Sequence, residues 1–247
     1  MAVARFGRVL VCALAVSAWA GYTRAEDAAT AEKPKSVVPA IKDPHRSVQF
    51  AKDKEEALKK GEIQLVFLGD SITDGWRGGP QHEIFLKAFG KYNPYNTGIS
   101  GDQTQHLLYR IDHGELDGIH PKVVEIMIGT NNLGNGQSPK DAIEGIKAVV
   151  EDVEKKLPET KILLLAVFPR GEKASDGFRP KIKEVNEALA KLPDADKHVK
   201  FLDINEKFLD SDGTLPKSVM PDSLHPNVKG YQIWADAIEP TVDEMEK

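Results

Sequence analysis

Short runs of consecutive apolar residues alternate with longer stretches of helical periodicity, and this alternation constrains the fold more than any other feature. The runs that predict strands are 63–69, 92–98, 123–129, 162–168 and 199–204, the second being the weakest. Continuous rather than alternating apolar runs are typical of strands buried on both faces of a parallel sheet. Strands alternating with helices therefore predict an α/β protein, a three-layer α/β/α sandwich around a five-stranded parallel sheet.

The stretches between these strands carry apolar residues three and four positions apart, and Gly or Pro closes several of them. The predicted helices are 80–90, 102–114, 138–158 and 179–193. A last helix is predicted from the apolar stripe of Val228, Tyr231, Trp234 and Ile238, which places Trp234 in the core. In such parallel sheets the site lies beyond the carboxyl ends of the strands.

The N-terminal residues have a different pattern from the rest. Arg5 and Arg8 precede an apolar run that ends in a small-x-small motif at Ala20. The run is shorter than the roughly 20 apolar residues of a membrane span. It predicts a signal peptide over residues 1–20, cleaved after Ala20 or, as an alternative, after Ala25, and thus a secreted or periplasmic protein.

Residues 21–46 are small, charged and punctuated by proline, so they are predicted to form a flexible lead-in to one domain over 47–247. Cleavage would remove two arginines and the only cysteine, making the formal net charge of −5 more negative. Nucleic acid is therefore not an expected partner, because phosphate binding needs a concentrated basic surface. No stable membrane insertion is expected after cleavage, and the oligomeric state is not indicated.

Residue types that acyl transfer requires follow four of the strands. Ser71 comes after the first strand, Gly98 and Gly101 after the second, and Asn131 and Asn132 after the third, while Asp222 and His225 lie beyond the fifth. A serine hydroxyl needs a base such as histidine to take its proton, and a carboxylate orients that histidine. Backbone and carboxamide N–H groups stabilise the oxyanion of the intermediate.

The sequence around these residues forms four motifs. They are GDS at 69–71, NTGISGD at 96–102, GTNN at 129–132 and DSLHP at 222–226. In this order they resemble the SGNH hydrolases, the GDSL-type esterase and lipase superfamily. Residues 101–132 are similar to the branch that contains the catalytic subunits of intracellular platelet-activating-factor acetylhydrolase.

The resemblance implies a flavodoxin-like SGNH hydrolase fold and a serine esterase without metal or other cofactor. It implies Ser71 as nucleophile, His225 as general base and Asp222 as the partner that orients it. The implied oxyanion hole comprises the backbone N–H groups of Ser71 and Gly101 and the side-chain amide of Asn131. The implied substrate is a small-molecule, polysaccharide or lipid ester.

Asn132 departs from the pattern, because many members of the superfamily have aspartate at this position. The implied donor Asn131 is retained. Asparagine in place of aspartate at 132 is therefore expected to affect how this loop is held in place more than the catalytic reaction.

Other interpretations stay open at this point. Ser71 could simply cap a helix, and Asp70 could be the nucleophile of a phosphatase, although Ile72 stands where such enzymes have a second aspartate. The absence of Gly-x-Ser-x-Gly argues against an α/β-hydrolase. Trp76 could line an acyl pocket or cover the sheet.

Three histidines, His106, His113 and His120, are seven residues apart but separated by helix-breaking residues, which favours surface or packing positions. Short loops at the strand ends predict an open site for short acyl groups such as acetyl. Carbohydrate O-deacetylase, lysophospholipase or thioesterase activity, or an inactive polysaccharide-binding relative, are the alternatives.

Overall fold

Five parallel strands form one sheet in the computed structural model, which describes residues 32–42, 44–194 and 198–247. The strands are β1 (Leu65–Gly69), β2 (Tyr95–Asn96), β3 (Val123–Met127), β4 (Lys161–Leu165) and β5 (Val199–Leu202). Their order across the sheet is β2-β1-β3-β4-β5. This order is the flavodoxin-like one, so the predicted sheet is confirmed.

Strand β2 is much shorter than the predicted 92–98. Asn93 lies in the left-handed region at φ 45°, and Pro94 has no N–H to donate to a neighbouring strand. Pairing with β1 therefore starts only at Tyr95, opposite Val66.

Helices cover both faces of the sheet, as predicted. They are α1 (Pro44–Lys60), α2 (Ser71–Asp74), α3 (Gly79–Phe89), α4 (Thr104–Asp112), α5 (Thr130–Gly134), α6 (Pro139–Lys156), α7 (Phe178–Leu189) and α8 (Val228–Met245). The sequence did not predict α1. Its sequence has few apolar residues among many charged ones, and among the side chains described in α1 only Ala57 is buried.

Side chains of the strands alternate between two cores, one on each face. On one face, Val66 and Val124 pack with the apolar sides of α4, α6 and α7. On the other, Phe67 and Met127 pack with α3 and α8. Within the stripe predicted for α8, Tyr231, Trp234 and Ile238 are buried, whereas Val228 is 42% exposed in the first turn.

Residues 34–42, which the sequence assigned to the lead-in, pack against α4. Thr104 Oγ1 donates to the Ser36 carbonyl (2.8 Å), and Ala40 N donates to the Gln105 carbonyl (3.0 Å). The compact unit accordingly begins at Pro34. The predicted signal peptide lies outside the described residues, and no helix within them is long and apolar enough to cross a membrane.

Candidate active site

Ser71 is the first residue of α2, directly beyond the carboxyl end of β1. Asp70 is the N-cap, and its Oδ1 accepts a hydrogen bond from the Ile72 N–H at 3.0 Å. The capping residue is therefore the aspartate, not the serine. The Ser71 side chain is left free to face the strand-end edge of the sheet.

The loop after β2 packs directly on the serine turn. A Cβ at Gly98 would lie 2.2 Å from Asp74 N, so only glycine allows the two segments to approach this closely. Asn96 Nδ2 donates to the Thr73 carbonyl at 2.8 Å, and Ile99 N donates to the Gly69 carbonyl at 3.2 Å. This packing brings the following residues, including Gly101, to the edge where Ser71 lies.

Gly101 is exposed and has φ +78°, a conformation that side-chain-bearing residues rarely adopt. Its backbone N–H donates to no acceptor among the described residues, and the same is true of the Ser71 N–H. Both predicted backbone donors are thus available for a ligand.

Asn131 lies in the first turn of α5 and connects the serine and glycine segments. Its Nδ2 donates to the Asp102 carbonyl at 2.9 Å and to Asp70 Oδ2 at 3.3 Å. The amide therefore sits between the residue that follows Gly101 and the residue that precedes Ser71.

The neighbouring Asn132 is buried and ties this loop to the start of α4. Its Nδ2 donates to Thr104 Oγ1 and Gln137 Oε1, both at 2.9 Å, and its Oδ1 accepts from Thr104 N at 3.2 Å. An ionised aspartate could accept the hydrogen bond but could not donate the other two.

Asp222 and His225 lie in the loop before α8. His225 Nδ1 donates to Asp222 Oδ2 at 2.6 Å, which leaves Nε2 of the neutral imidazole to accept from the Ser71 hydroxyl at 2.9 Å. The helix that follows starts at Val228, with Asn227 as its N-cap.

A tight turn orients Asp222 and His225 towards each other. Asp222 Oδ1 accepts the backbone N–H groups of Leu224 (3.1 Å) and His225 (2.7 Å), while Ser223 has φ 58°. Burial raises the pKa of Asp222, but hydrogen bonds from the His225 side chain and backbone outweigh it and hold the pKa below its usual value. The carboxylate therefore stays ionised beside the imidazole.

The site is open to solvent. The side chains of His225 and Asp222 are 42% and 56% exposed. Asp70, by contrast, is fully buried, and burial raises its pKa to about 7 although the Ile72 N–H and His225 act in the opposite direction. A carboxyl group buried in this way is not placed to attack a phosphate, which argues against the phosphatase interpretation.

Trp76 does not line the site, because it is fully buried. Its ring packs on Phe85, Tyr231 and Trp234, at centroid distances of 5.4, 4.4 and 5.0 Å. Of its two possible roles, the structure therefore supports covering the sheet.

Two of the three evenly spaced histidines make contacts within α4, one at each end of the helix. His106 Nδ1 accepts from Gln103 N at 3.0 Å, at the start of the helix. His113 stacks on Tyr109 at its end, and His120 is exposed. Among the described residues, no group of three or more His, Cys, Asp or Glu side chains could hold a metal ion.

Tyr231 supports the serine turn, a role that the sequence did not reveal. Its hydroxyl donates to the Ile72 carbonyl at 2.7 Å, beside Gly75. The apolar stripe of α8 indicated only that this residue is buried.

Comparisons with known proteins identify the family of the chain. The family model described as GDSL-like lipase/acylhydrolase matches residues 67–233. The platelet-activating factor acetylhydrolase IB subunit alpha1 of Homo sapiens is 36% identical over 187 residues, which cover 76% of this chain and 75% of that protein.

Two solved structures share the fold at lower identity. A GDSL-like lipase from Bacteroides thetaiotaomicron has a TM-score of 0.62 at 22% identity, covering 80% of this chain and 98% of that one. An acetyl-xylooligosaccharide esterase from Geobacillus Stearmophilus, solved as a mutant, has a TM-score of 0.60 at 21% identity, covering 75% and 94%.

Proposed function

Because the chain belongs to the GDSL-like lipase/acylhydrolase family and is a carboxylic ester hydrolase, we propose that it is an exported serine esterase acting on short acyl esters, above all acetyl esters. The observation that carries this proposal is the continuous hydrogen-bond chain from Ser71 through His225 to Asp222, at 2.9 and 2.6 Å. No cofactor takes part in the proposed reaction.

In the first half-reaction, Ser71 Oγ attacks the ester carbonyl while its proton passes to His225 Nε2. The tetrahedral intermediate collapses, the bond to the alcohol oxygen breaks, and His225 returns the proton to that oxygen. In the second half-reaction, water attacks the acyl-serine and gives its proton to His225. The bond between the acyl carbon and Ser71 Oγ breaks, His225 returns the proton to that oxygen, and the carboxylic acid leaves. Asp222 stabilises the imidazolium in both.

The oxyanion is stabilised by the backbone N–H groups of Ser71 and Gly101 and by the amide of Asn131, each worth about 2.7–4 kcal/mol. The two backbone groups have no competing acceptor among the described residues. Asn131 must exchange its longer hydrogen bond, the 3.3 Å one to Asp70, for one to the oxyanion. Burial favours the neutral form of Asp70, which lowers the cost of that exchange.

The openness of the site supports the preference for short acyl groups. His225 and Asp222 are exposed to solvent, and a long acyl chain gains most from an enclosed apolar channel. The human relative is by name an acetylhydrolase, and the esterase from Geobacillus acts by name on an acetylated oligosaccharide. Export is supported by Arg5 and Arg8 ahead of the apolar N-terminal run.

Replacing Ser71 by alanine tests the function directly. We expect kcat/KM for p-nitrophenyl acetate to fall more than about 10⁴-fold, because the nucleophile is lost. The thermal midpoint should be nearly unchanged, since Asp70 and not Ser71 caps α2. Wild-type turnover should decrease from acetate to butyrate to octanoate.

A matched control is Ser211→Ala at an exposed serine, which should retain wild-type kinetics. Turnover retained by Ser71→Ala would remove Ser71 as the nucleophile. If a fluorophosphonate probe failed to label the wild-type protein, the inactive, polysaccharide-binding alternative would be favoured instead.

A further inference from the structure

Lys42 reaches the glycine loop from the N-terminal segment. Its Nζ donates to the Ser100 carbonyl and lies 3.5 Å from Asp102 Oδ1, so it contacts the residues on both sides of Gly101. A Cβ at position 101 would lie 2.8 Å from this nitrogen. The ammonium group therefore packs directly against Gly101.

The remaining contacts of this loop hold its flanks and not Gly101 itself. Ser100 Oγ donates to Asp74 Oδ2 at 3.0 Å, and the Asp102 carbonyl accepts from Asn131 at 2.9 Å. A glycine at positive φ has more conformational freedom than any other residue. Lys42 contacts both neighbours of this glycine through one side chain.

The segment that carries Lys42 is itself anchored. Ser36 is buried and accepts from Thr104, and Ala40 donates to the Gln105 carbonyl. Both anchors lie on α4, which begins two residues after Asp102. Lys42 therefore connects the anchored segment 34–42 to residues 100–102.

We propose that Lys42 is a positioning residue of the esterase, holding residues 100–102 so that the Gly101 N–H stays directed at the oxyanion; this inference rests on the proposed function. A misdirected donor stabilises the transition state less while leaving substrate binding almost unaffected.

The test compares Lys42→Ala, Lys42→Arg and the control Lys35→Ala, an exposed lysine of the same segment. With p-nitrophenyl acetate, Lys42→Ala should lower kcat about tenfold or more with KM within about twofold. Lys42→Arg should regain most of the loss, and Lys35→Ala should match wild type. The thermal midpoint should hardly change, because a partly exposed ion pair contributes little stability.

A trifluoromethyl ketone, which forms an oxyanion adduct with a serine nucleophile, supplies a second measurement. Its inhibition constant for Lys42→Ala should exceed the wild-type value by the same factor by which kcat/KM falls. The proposal is overturned if kcat of Lys42→Ala stays within about twofold of wild type. It is also overturned if the loss of kcat is accompanied by a change in KM of similar factor and by a clear fall in the thermal midpoint. An inactive wild-type protein would instead contradict the proposed function.

Discussion

At the residue scale, the two carboxyl oxygens of Asp70 connect the serine motif at 69–71 with the asparagine motif at 129–132. One carboxylate oxygen caps α2 through Ile72 N, and the other accepts from the Asn131 amide. Ser71 thus starts its helix without using its hydroxyl as a cap. Since burial raises the pKa of Asp70 to about 7, this carboxyl holds Asn131 less strongly than an ionised one would.

Asn131→Ala tests the amide as an oxyanion donor. We expect kcat to fall on the order of 10²–10³-fold with KM little changed, because the donor acts mainly in the transition state. Steady-state kinetics with p-nitrophenyl acetate measure this. An unchanged kcat would remove Asn131 from the oxyanion hole, and a large loss of thermal stability would point to its contact with Asp102 instead.

Among the secondary-structure elements, β1, β2 and β3 are followed by the serine, glycine and asparagine segments, which therefore lie at the same edge of the sheet. The paired register explains why: Gly69 at the end of β1 lies opposite Met127 at the end of β3. The histidine segment is supplied by the loop before α8, whose Tyr231 reaches back to the serine turn. The site is thus held by strand pairing on one side and helix packing on the other.

Strand β3 also carries a buried acid beneath the site. Glu125 is fully buried between Phe67 and Leu163 of the neighbouring strands, and its carboxyl oxygens have no hydrogen-bond partner among the described residues. Burial, and secondarily the nearby Asp70, raises its pKa well above the ordinary 4.5. At pH values at which this glutamate is ionised in the unfolded chain, Glu125 therefore stays protonated in the folded protein.

Glu125→Gln should stabilise the protein increasingly as pH rises. Above about pH 4.5 the unfolded chain loses a proton that the folded state retains, so wild type loses stability with pH while the glutamine variant does not. Thermal midpoints measured from pH 5 to 9 should diverge between the two proteins. Glu159→Gln, at an exposed position, should show no such trend, and a constant difference for Glu125→Gln would contradict the prediction.

At the scale of the whole molecule, the compact unit extends to Pro34, upstream of the predicted domain start at 47. The proposed signal peptide precedes this unit. Cleavage after Ala20 or Ala25 would therefore leave residues 34–42, and with them Lys42, in the mature protein.

Export can be checked on the full chain expressed in a Gram-negative host. The intact mass of the periplasmic protein should correspond to a chain starting at Gly21, or at Glu26 for the alternative cleavage site. Ala20→Leu should block cleavage after residue 20, because signal peptidase requires a small residue there. A full-length protein retained in the cytoplasm would contradict export.

The sequence by itself determined the sheet, the placement of most helices and the five residues proposed for chemistry. These follow from local patterns: apolar runs, helical periodicity, and motifs whose residue types the reaction needs. Strand β2 was predicted too long because a left-handed Asn93 and the following Pro94 limit pairing in a way that hydrophobicity does not reveal. Helix α1 was missed because its few apolar residues stand among many charged ones, which resembles the composition of the preceding lead-in.

Only the tertiary structure decided how distant segments meet. Whether Trp76 faced the site or the core depended on the packing of α3 and α8 around it, and it is in the core. That Lys42 lies against Gly101 depends on the anchors that Ser36 and Ala40 make to Thr104 and Gln105 of α4, which are distant along the chain. Such contacts join residues with no shared local pattern, so the sequence carries no signal for them until the chain is folded.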